Sequence, residues 1–417
     1  MFRNILWARS TTMPDPSLIH RQSFFGFASV RLLGASSAAA SNLKIEEMEV
    51  FVVDVSPKGN WIFVRLKTNR HLTGLGEASH GFGASHTHAA DAERMTGALK
   101  EFFELIREQS PFELEEYRRR ARTRAKSGGL MLATAFSALE QAQWDLVGKA
   151  LGVPVNRLFG GQARSELPLY ANINRATIER SPAAFAANAA KAAEQGFRAI
   201  KAAPFDGFPP LTASRELIAR AVDDGIASVA AMRRAIGPEV DLMIDCHSKF
   251  DVDLSIEIAR RLAPHDLAWY EEPVAPEQTE ETKIIRSSIK QRMAGGELLF
   301  GVEGFAPLCR DHGLDVIMPD VKHCGGILEG QEIAALAQLE NLEVSPHNPS
   351  GPVATAASVQ WCAGMPNFTL LEYQWNEVPW RSDLITPPER FHHGRIRVPA
   401  EPGFGIELND RVVQAHS

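Results

Sequence analysis

Leu242-Met243-Ile244-Asp245-Cys246-His247 is the stretch whose reading decides the fold. Three apolar residues deliver a carboxylate and, two positions later, an imidazole. A buried parallel strand presents chemistry at its carboxyl end in this way. The pattern then recurs downstream. Leu267-Ala268-Trp269-Tyr270 leads to Glu271, Arg292-Met293-Ala294-Gly295-Gly296 to Glu297, and Leu314-Asp315-Val316-Ile317-Met318-Pro319 to Asp320. Leu342-Glu343-Val344-Ser345-Pro346 leads to His347, and Phe368-Thr369-Leu370-Leu371 to Glu372. From Asp245 onward the steps between these ionisable residues are 26, 26, 23, 27 and 25 residues. One strand, one helix and two loops fill about 25 residues. Six such units read as a parallel (β/α) barrel with its site at the carboxyl face.

Working outward, Leu167 to Asn172 supplies a first barrel strand, and Gly196 to Ile200, ending at Lys201, a second. Ahead of them, Ile45 to Val55 and Trp61 to Lys67 are strand-like runs joined by the turn Ser56-Pro57-Lys58-Gly59-Asn60. Gly74-Leu75-Gly76-Glu77 completes three strands, and residues 89–108, 112–126 and 129–150 read as helices. Residues 385–417 are rich in Pro and Gly, short-stranded, and leave no room for another full unit. The expected organisation is a segment 1–42, a capping unit 43–165, a barrel 166–384, and a C-terminal segment 385–417 that returns to the cap.

The chain has 417 residues, 45% hydrophobic and 23% charged, an ordinary globular composition with room for a roughly 250-residue barrel and a second unit. A net charge of −7 without a basic patch excludes nucleic acid as an expected partner. Cys246, Cys309, Cys324 and Cys362 lack the paired spacing of a zinc site and are too sparse for a disulfide framework, so buried free thiols are expected. Residues 1–42 hold four Arg, no Lys and one acid, Asp15. Arg21-Gln22-Ser23-Phe24-Phe25 followed by a short apolar stretch resembles a twin-arginine export signal, with Gln22 where the second arginine belongs. An organelle transit peptide, or translation from Met13, fits as well, so the expected location is cytoplasmic, or exported if the segment works as a signal. No stretch is long and apolar enough to span a membrane.

The chemistry follows from the residue types. Asp245, Glu271 and Glu297, on successive strands, aim three carboxylates at one spot, and oxygen-only ligands suit a hard divalent cation, magnesium by default, one per site. Asp320 and His347 lie one unit apart. A carboxylate beside an imidazole fixes its tautomer and raises its basicity, which makes His347 a candidate general base. Period-two alternation places His247 on the side of Asp245, where it could act as a general acid, bind the metal or bond a neighbour. A cation, a base and an acid suit removal of a proton alpha to a carboxylate, with expulsion of a beta hydroxyl.

The motifs Glu271-Glu272-Pro273, Gly296-Glu297, Met318-Pro319-Asp320 with Gly325-Gly326, His347 and Leu371-Glu372 resemble the mandelate racemase and muconate lactonising branch of the enolase superfamily, over residues 43–417. The resemblance implies a modified (β/α)7β TIM-like barrel with an α+β capping domain, magnesium on Asp245, Glu271 and Glu297, and an Asp320–His347 dyad as base. Glu372 matches the residue that bonds the substrate carboxylate and stabilises the enediolate. Racemase-like members carry Lys-x-Lys on the second strand; here Lys201-Ala202-Ala203 keeps only the first, which argues against two opposed bases. Asp245-x-His247, Pro319-Asp320-x-x-His323 and His347-Asn348-Pro349-Ser350-Gly351-Pro352 are similar to galactonate dehydratase-like enzymes, in which the Asp-x-His imidazole helps expel the hydroxyl. Lys201 would then partner the carboxylate, serve as a second acid, or salt-bridge a metal ligand.

The expected function is a magnesium-dependent dehydratase, a hydro-lyase, converting an aldonic or related acid sugar to a 2-keto-3-deoxy acid. Alternatives are a cycloisomerase of an anhydro-sugar acid or lactone, and a non-catalytic sugar-acid-binding protein; zinc hydrolysis is weakest, the cluster lacking His-rich ligands. His80 and Phe82 in the capping loop, with Asn172 and Asn174 at the first strand end, are candidates for substrate binding. His86-Thr87-His88 opens a helix and is set aside as a metal pair, and His323 is expected to be structural. A homo-oligomer is expected by analogy alone.

Overall fold

The structure, a computed structural model, describes residues 42–417 except 57–58 and 82–88. Phe82, His86 and His88, and the leader-like segment through Ser41, therefore lie outside the described residues.

Strands β1 (Ile45–Ser56), β2 (Gly59–Thr68) and β3 (Thr73–Glu77) form an antiparallel meander. The two faces of β2 diverge with period two: Ile62, Val64 and Leu66 join the core of the cap, whereas Trp61 and Phe63 face the core shared with the barrel. Helices α1 (Ala89–Phe103), α2 (Leu114–Ser127) and α3 (Gly129–Leu151) cover the first face. The first helix stops five residues before the expected end, and the chain continues in turns. Gly74 and Gly76 let β3 press against α3: a Cβ there would stand 2.2 Å from the Ala142 carbonyl oxygen and 2.0 Å from that of Ala138.

Eight parallel strands follow: β4 (Glu166–Asn172), β5 (Ala199–Ala202), β6 (Asp241–Asp245), β7 (Trp269–Glu271), β8 (Met293–Gly295), β9 (Val316–Ile317), β10 (Glu343–Val344) and β11 (Leu371–Gln374). They pair in chain order, β11 returns to β4, and a bridge between Val344 and Phe368 closes the ring. Seven helices alternate with them: α4 (Pro182–Glu194), α5 (Arg215–Ile236), α6 (Val252–Leu262), α7 (Thr279–Ser288), α8 (Gly301–Arg310), α9 (Gly326–Leu339) and α10 (Pro352–Cys362). This is the (β/α)7β barrel expected. Alternation again sorts the side chains. Leu242 and Ile244 pack outward under the helices, while Met243 meets Tyr170, Ala199, Trp269, Ala294, Val316 and Met318 inside the ring. Side-chain caps start several helices: Ser181 accepts from Ala184 N–H, Ser214 from Leu217 N–H and Asp251 from Leu254 N–H, each contributing about 1 kcal/mol.

The C-terminal segment does more than return to the cap. The hairpin β13 (Phe391–His392) and β14 (Arg395–Arg397) pairs antiparallel with the start of β4, extending the barrel sheet at its amino end. Beyond it, β12 (Ile385–Thr386) pairs with β15 (Glu407–Leu408), and the final turns reach the cap: Phe404 N–H donates to Asp145, and Lys149 pairs with Glu407 at 2.6 Å. No helix among the described residues is long and apolar enough to cross a membrane, and all four cysteines are buried free thiols.

Candidate active site

The carboxyl ends of the strands open into a cavity of about 650 Å³ lined, among others, by Asp245, His247, Glu297, Lys201 and His347. Asp245 and Glu271 are the last residues of β6 and β7, and Glu297 follows β8 after Gly296, whose φ of 103° turns the chain inward. Oxygens of these three buried carboxylates lie within 4.8 Å of one another. Burial and then the Asp245 charge push the Glu271 carboxyl well above the usual range. Neighbouring Glu272 is pushed up to about 8, by burial first and by Glu297 second, and accepts the Gly296 N–H at 2.7 Å. Glu272 thus shapes the turn before Glu297, and Glu271 is the member of the pair that joins the triad.

A divalent cation fits this donor set. Glu297 Oε2 is buried without a hydrogen-bond partner; His347 Nε2 stands 3.2 Å away but out of hydrogen-bond alignment. Three mutually repelling buried carboxylates call for positive charge; the Lys201 ammonium supplies part of it, and a hard cation with oxygen ligands would supply the rest.

Lys201, on β5, is 1% exposed, with Nζ 2.7 Å from Glu271, 3.2 Å from Glu372 and 3.5 Å from Asp245. Lys201 thus salt-bridges two members of the triad as well as Glu372. Glu372 is fully buried, and its oxygens accept from Asn172 Nδ2 at 2.7 Å and Asn348 N–H at 2.8 Å. Burial opposes its ionisation, but Lys201 and His347 together hold its carboxyl below the usual range. In this structure Glu372 orders Lys201 and the start of the His347 loop.

His347 follows β10 by three residues, with Nδ1 2.7 Å from Asp320 Oδ2 and Nε2 toward the cavity. The dyad expected from spacing is formed. Asp320 also accepts from the Lys322 ammonium at 2.7 Å and lies 3.8 Å from His323 Nε2. His323 is buried, bonds Thr134 of α3 through Nδ1 at 2.9 Å, and also lines the cavity. Burial pushes its imidazole down to about 3, against the pull of Asp320.

His247 reaches the site by another route than strand alternation. The strand ends at Asp245, and His247 has φ 46°, a left-handed turn that swings the ring back over the carboxylate. Its Nε2 stands 3.1 Å from Asp245 Oδ2 and its Nδ1 2.5 Å from Asp206 Oδ1. Burial disfavours its charge, but the two carboxylates outweigh burial and raise the imidazole well above its ordinary value.

Around the mouth, His80 is buried at φ 63°, and Arg175 donates to its Nε2 at 3.0 Å. Burial, with Arg175 adding to it, keeps His80 neutral by lowering it well below its ordinary value. Asn172 and Asn174 line the cavity but are engaged within the protein: Asn172 Oδ1 accepts Asn174 N–H at 2.9 Å, and Asn174 Nδ2 donates to Asp206 at 2.8 Å. Arg175, Arg180, Asp206, Lys249 and Gln374 also face the cavity and were not singled out from sequence. They sit on loops or inside strands, where no periodic signal marks them; Phe205-Asp206-Gly207 just beyond the second strand was the only cue.

With this geometry in place, comparison with known proteins gives a consistent result. The model for the mandelate racemase/muconate lactonizing enzyme N-terminal domain matches residues 47–160, and the enolase C-terminal domain-like model matches residues 184–412. A D-xylonate dehydratase of Haloferax volcanii is 32% identical over 384 residues, covering 89% of each chain. A D-galactonate dehydratase of Variovorax paradoxus is 30% identical, covering 87% of this chain and 92% of its own. The crystal structure of a mandelate racemase/muconate lactonizing enzyme from Jannaschia sp. CCS1 superposes with a TM-score of 0.78 at 30% identity, covering 89% of this chain and 97% of that one. The chain belongs to the mandelate racemase/muconate lactonizing enzyme family of the enolase superfamily.

Proposed function

We propose that this hydro-lyase is a magnesium-dependent dehydratase of an aldonic or related acid sugar, forming a 2-keto-3-deoxy acid. The observation that carries this reading is the placement of two imidazoles around one carboxylate triad: His347 backed by Asp320, and His247 clamped by Asp206. Relatives named as dehydratases of xylonate, gluconate and galactonate support the substrate class.

Asp245, Glu271 and Glu297 would hold the cation, which when bound offsets the negative charge that builds on the substrate carboxylate. His347 Nε2 takes the alpha proton, with Asp320 fixing the ring and stabilising its charge. His247 gives a proton to the beta hydroxyl, which leaves as water as the carbon–oxygen bond breaks. The enol so formed becomes the keto acid by protonation at carbon. β6 and β10, which lead to the two imidazoles, stand four strands apart in the eight-strand ring, so acid and base approach from opposite walls. Lys201 adds fixed positive charge beside the triad.

The test is incubation with magnesium and a panel of acid sugars in deuterium oxide, followed by proton NMR. Deuterium at the alpha carbon of the recovered acid sugar, with a 2-keto-3-deoxy product deuterated at the carbon that lost its hydroxyl, supports the reading. An isomer formed without loss of water would replace it with cycloisomerisation, and tight binding without exchange or product would replace it with a binding role.

A further inference from the structure

Lys322 is the one ammonium in direct contact with the Asp320–His347 pair among the described residues. Its side chain is fully buried, and Nζ stands 2.7 Å from Asp320 Oδ2, the oxygen that His347 Nδ1 also approaches to 2.7 Å. The Lys322 N–H donates to the other oxygen, Asp320 Oδ1, at 2.7 Å, so one residue grips both ends of the carboxylate. The ammonium also donates to Ser350 Oγ, in the loop that carries His347. One side chain therefore fastens the orienting carboxylate to the loop of the imidazole it orients.

The far end of that loop is held from the cap. Glu77, the last residue of β3, accepts Gly351 N–H at 2.7 Å and Ala354 N–H at 2.8 Å, at the start of α10. Burial raises the Glu77 carboxyl, and Lys322 is the foremost influence lowering it, so the ammonium acts on a second buried acid besides Asp320. A lysine at this depth carries a desolvation cost of several kcal/mol, which pairing must offset. A pair needed only for neutrality would be complete with Asp320. The bonds to Ser350 and to both Asp320 oxygens instead fix direction.

We propose that Lys322 is a positioning residue for proton abstraction: it aims the Asp320 carboxylate at His347 Nδ1 and locks the His347 loop through Ser350. This rests on the reading of His347 as the base. Burial opposes the Asp320 charge, yet Lys322, first among the neighbouring groups, holds the carboxyl far below its usual range, consistent with a permanently charged orienting group.

The test uses full-length enzyme with magnesium and an acid sugar that the wild type dehydrates, following alpha-proton exchange, kcat, KM, magnesium affinity and circular dichroism. Lys322→Met should lower exchange and kcat together by roughly 10- to 100-fold, the range of outer-shell partners, with KM and magnesium affinity within about threefold. Lys322→Arg should recover part of the loss. In an Asp320→Asn background, Lys322→Met should add less than about threefold, because the two act as a unit. A folded Lys322→Met enzyme with wild-type exchange, or one whose full loss recurs on top of Asp320→Asn, overturns the proposal. Should Lys322→Met fail to fold, Ser350→Ala carries the test, since it leaves the Lys322–Asp320 pair: a severalfold loss of exchange at unchanged KM supports loop locking, and no loss overturns it. His347→Ala separates the two readings. Full exchange there removes the base itself, whereas loss there beside wild-type exchange in Lys322→Met removes only the role of Lys322.

Discussion

His247 Nδ1 lies 2.5 Å from Asp206 Oδ1, a contact that joins the turn after the third barrel strand to the loop after the second. With Nδ1 occupied, Nε2 is the nitrogen left facing Asp245 and the cavity. Which nitrogen faces the cavity is thus set by a residue that no strand-end pattern marks.

His247→Ala should leave alpha-proton exchange within about threefold of wild type and reduce dehydration by about 10²- to 10⁴-fold, the usual contribution of a general acid. Asp206→Asn should follow the same direction by roughly 10- to 100-fold, acting through orientation. Deuterium incorporation and product formation measured in one NMR series decide this. Loss of exchange in parallel with product in His247→Ala would contradict the division between acid and base.

Magnesium should stabilise the fold, because it relieves the repulsion among Asp245, Glu271 and Glu297. At a hundredfold excess over Kd the gain is about 2.7 kcal/mol, visible as a rise in Tm. Glu297→Ala should remove most of that rise while leaving the metal-free Tm near wild type or higher. An equal rise in Glu297→Ala would move the metal away from the triad.

Glu77 bonds two backbone N–H groups at the start of α10 from across the cap–barrel boundary. Glu77→Ala leaves both buried donors unpaired and should cost about 1–3 kcal/mol in urea unfolding. It should also slow alpha-proton exchange, since that helix start anchors the His347 loop. An unchanged unfolding midpoint would show that the contact carries no weight.

Glu140 ties α3 to the barrel by accepting Ile327 and Leu328 N–H at 2.8 and 2.9 Å. Burial raises its carboxyl from 4.5 to about 7, against those hydrogen bonds. Between these values the folded chain binds the extra proton and the unfolded chain does not. Its contribution to stability is therefore full at low pH and lost as pH rises through about 7. Relative to Glu140→Gln, wild type should lose stability from about pH 4.5 to 7 in urea unfolding series. A flat difference would assign the carboxylate a charged state throughout.

Much of this was legible in the chain because buried parallel strands leave a signal. Apolar runs ending in Asp245 and Glu271 are strand ends in the structure, and their spacing marked the βα units. Glu297, Asp320 and His347 fall two or three residues past their strands, which are shorter than the apolar runs suggest. Left-handed turns hide from periodicity, so alternation found the right side for His247 for the wrong reason. Loop residues such as Asp206 and Arg175 have no period at all. Lys322 sat inside a recognised motif, but one sequence cannot show that its ammonium turns inward rather than to solvent. The tail is legible as a short-stranded return to the cap, but the pairing of its hairpin with β4 is not, because two- and three-residue strands carry too little pattern to name a partner.

The most direct measurement is alpha-deuterium incorporation by wild type and His347→Ala, side by side, with magnesium and the aldonic acid that wild type turns over. Incorporation by wild type and its loss, by at least about 100-fold, in a folded His347→Ala enzyme is the expected result. Undiminished incorporation in His347→Ala would contradict the account at its centre, because the proton would then leave to some other group.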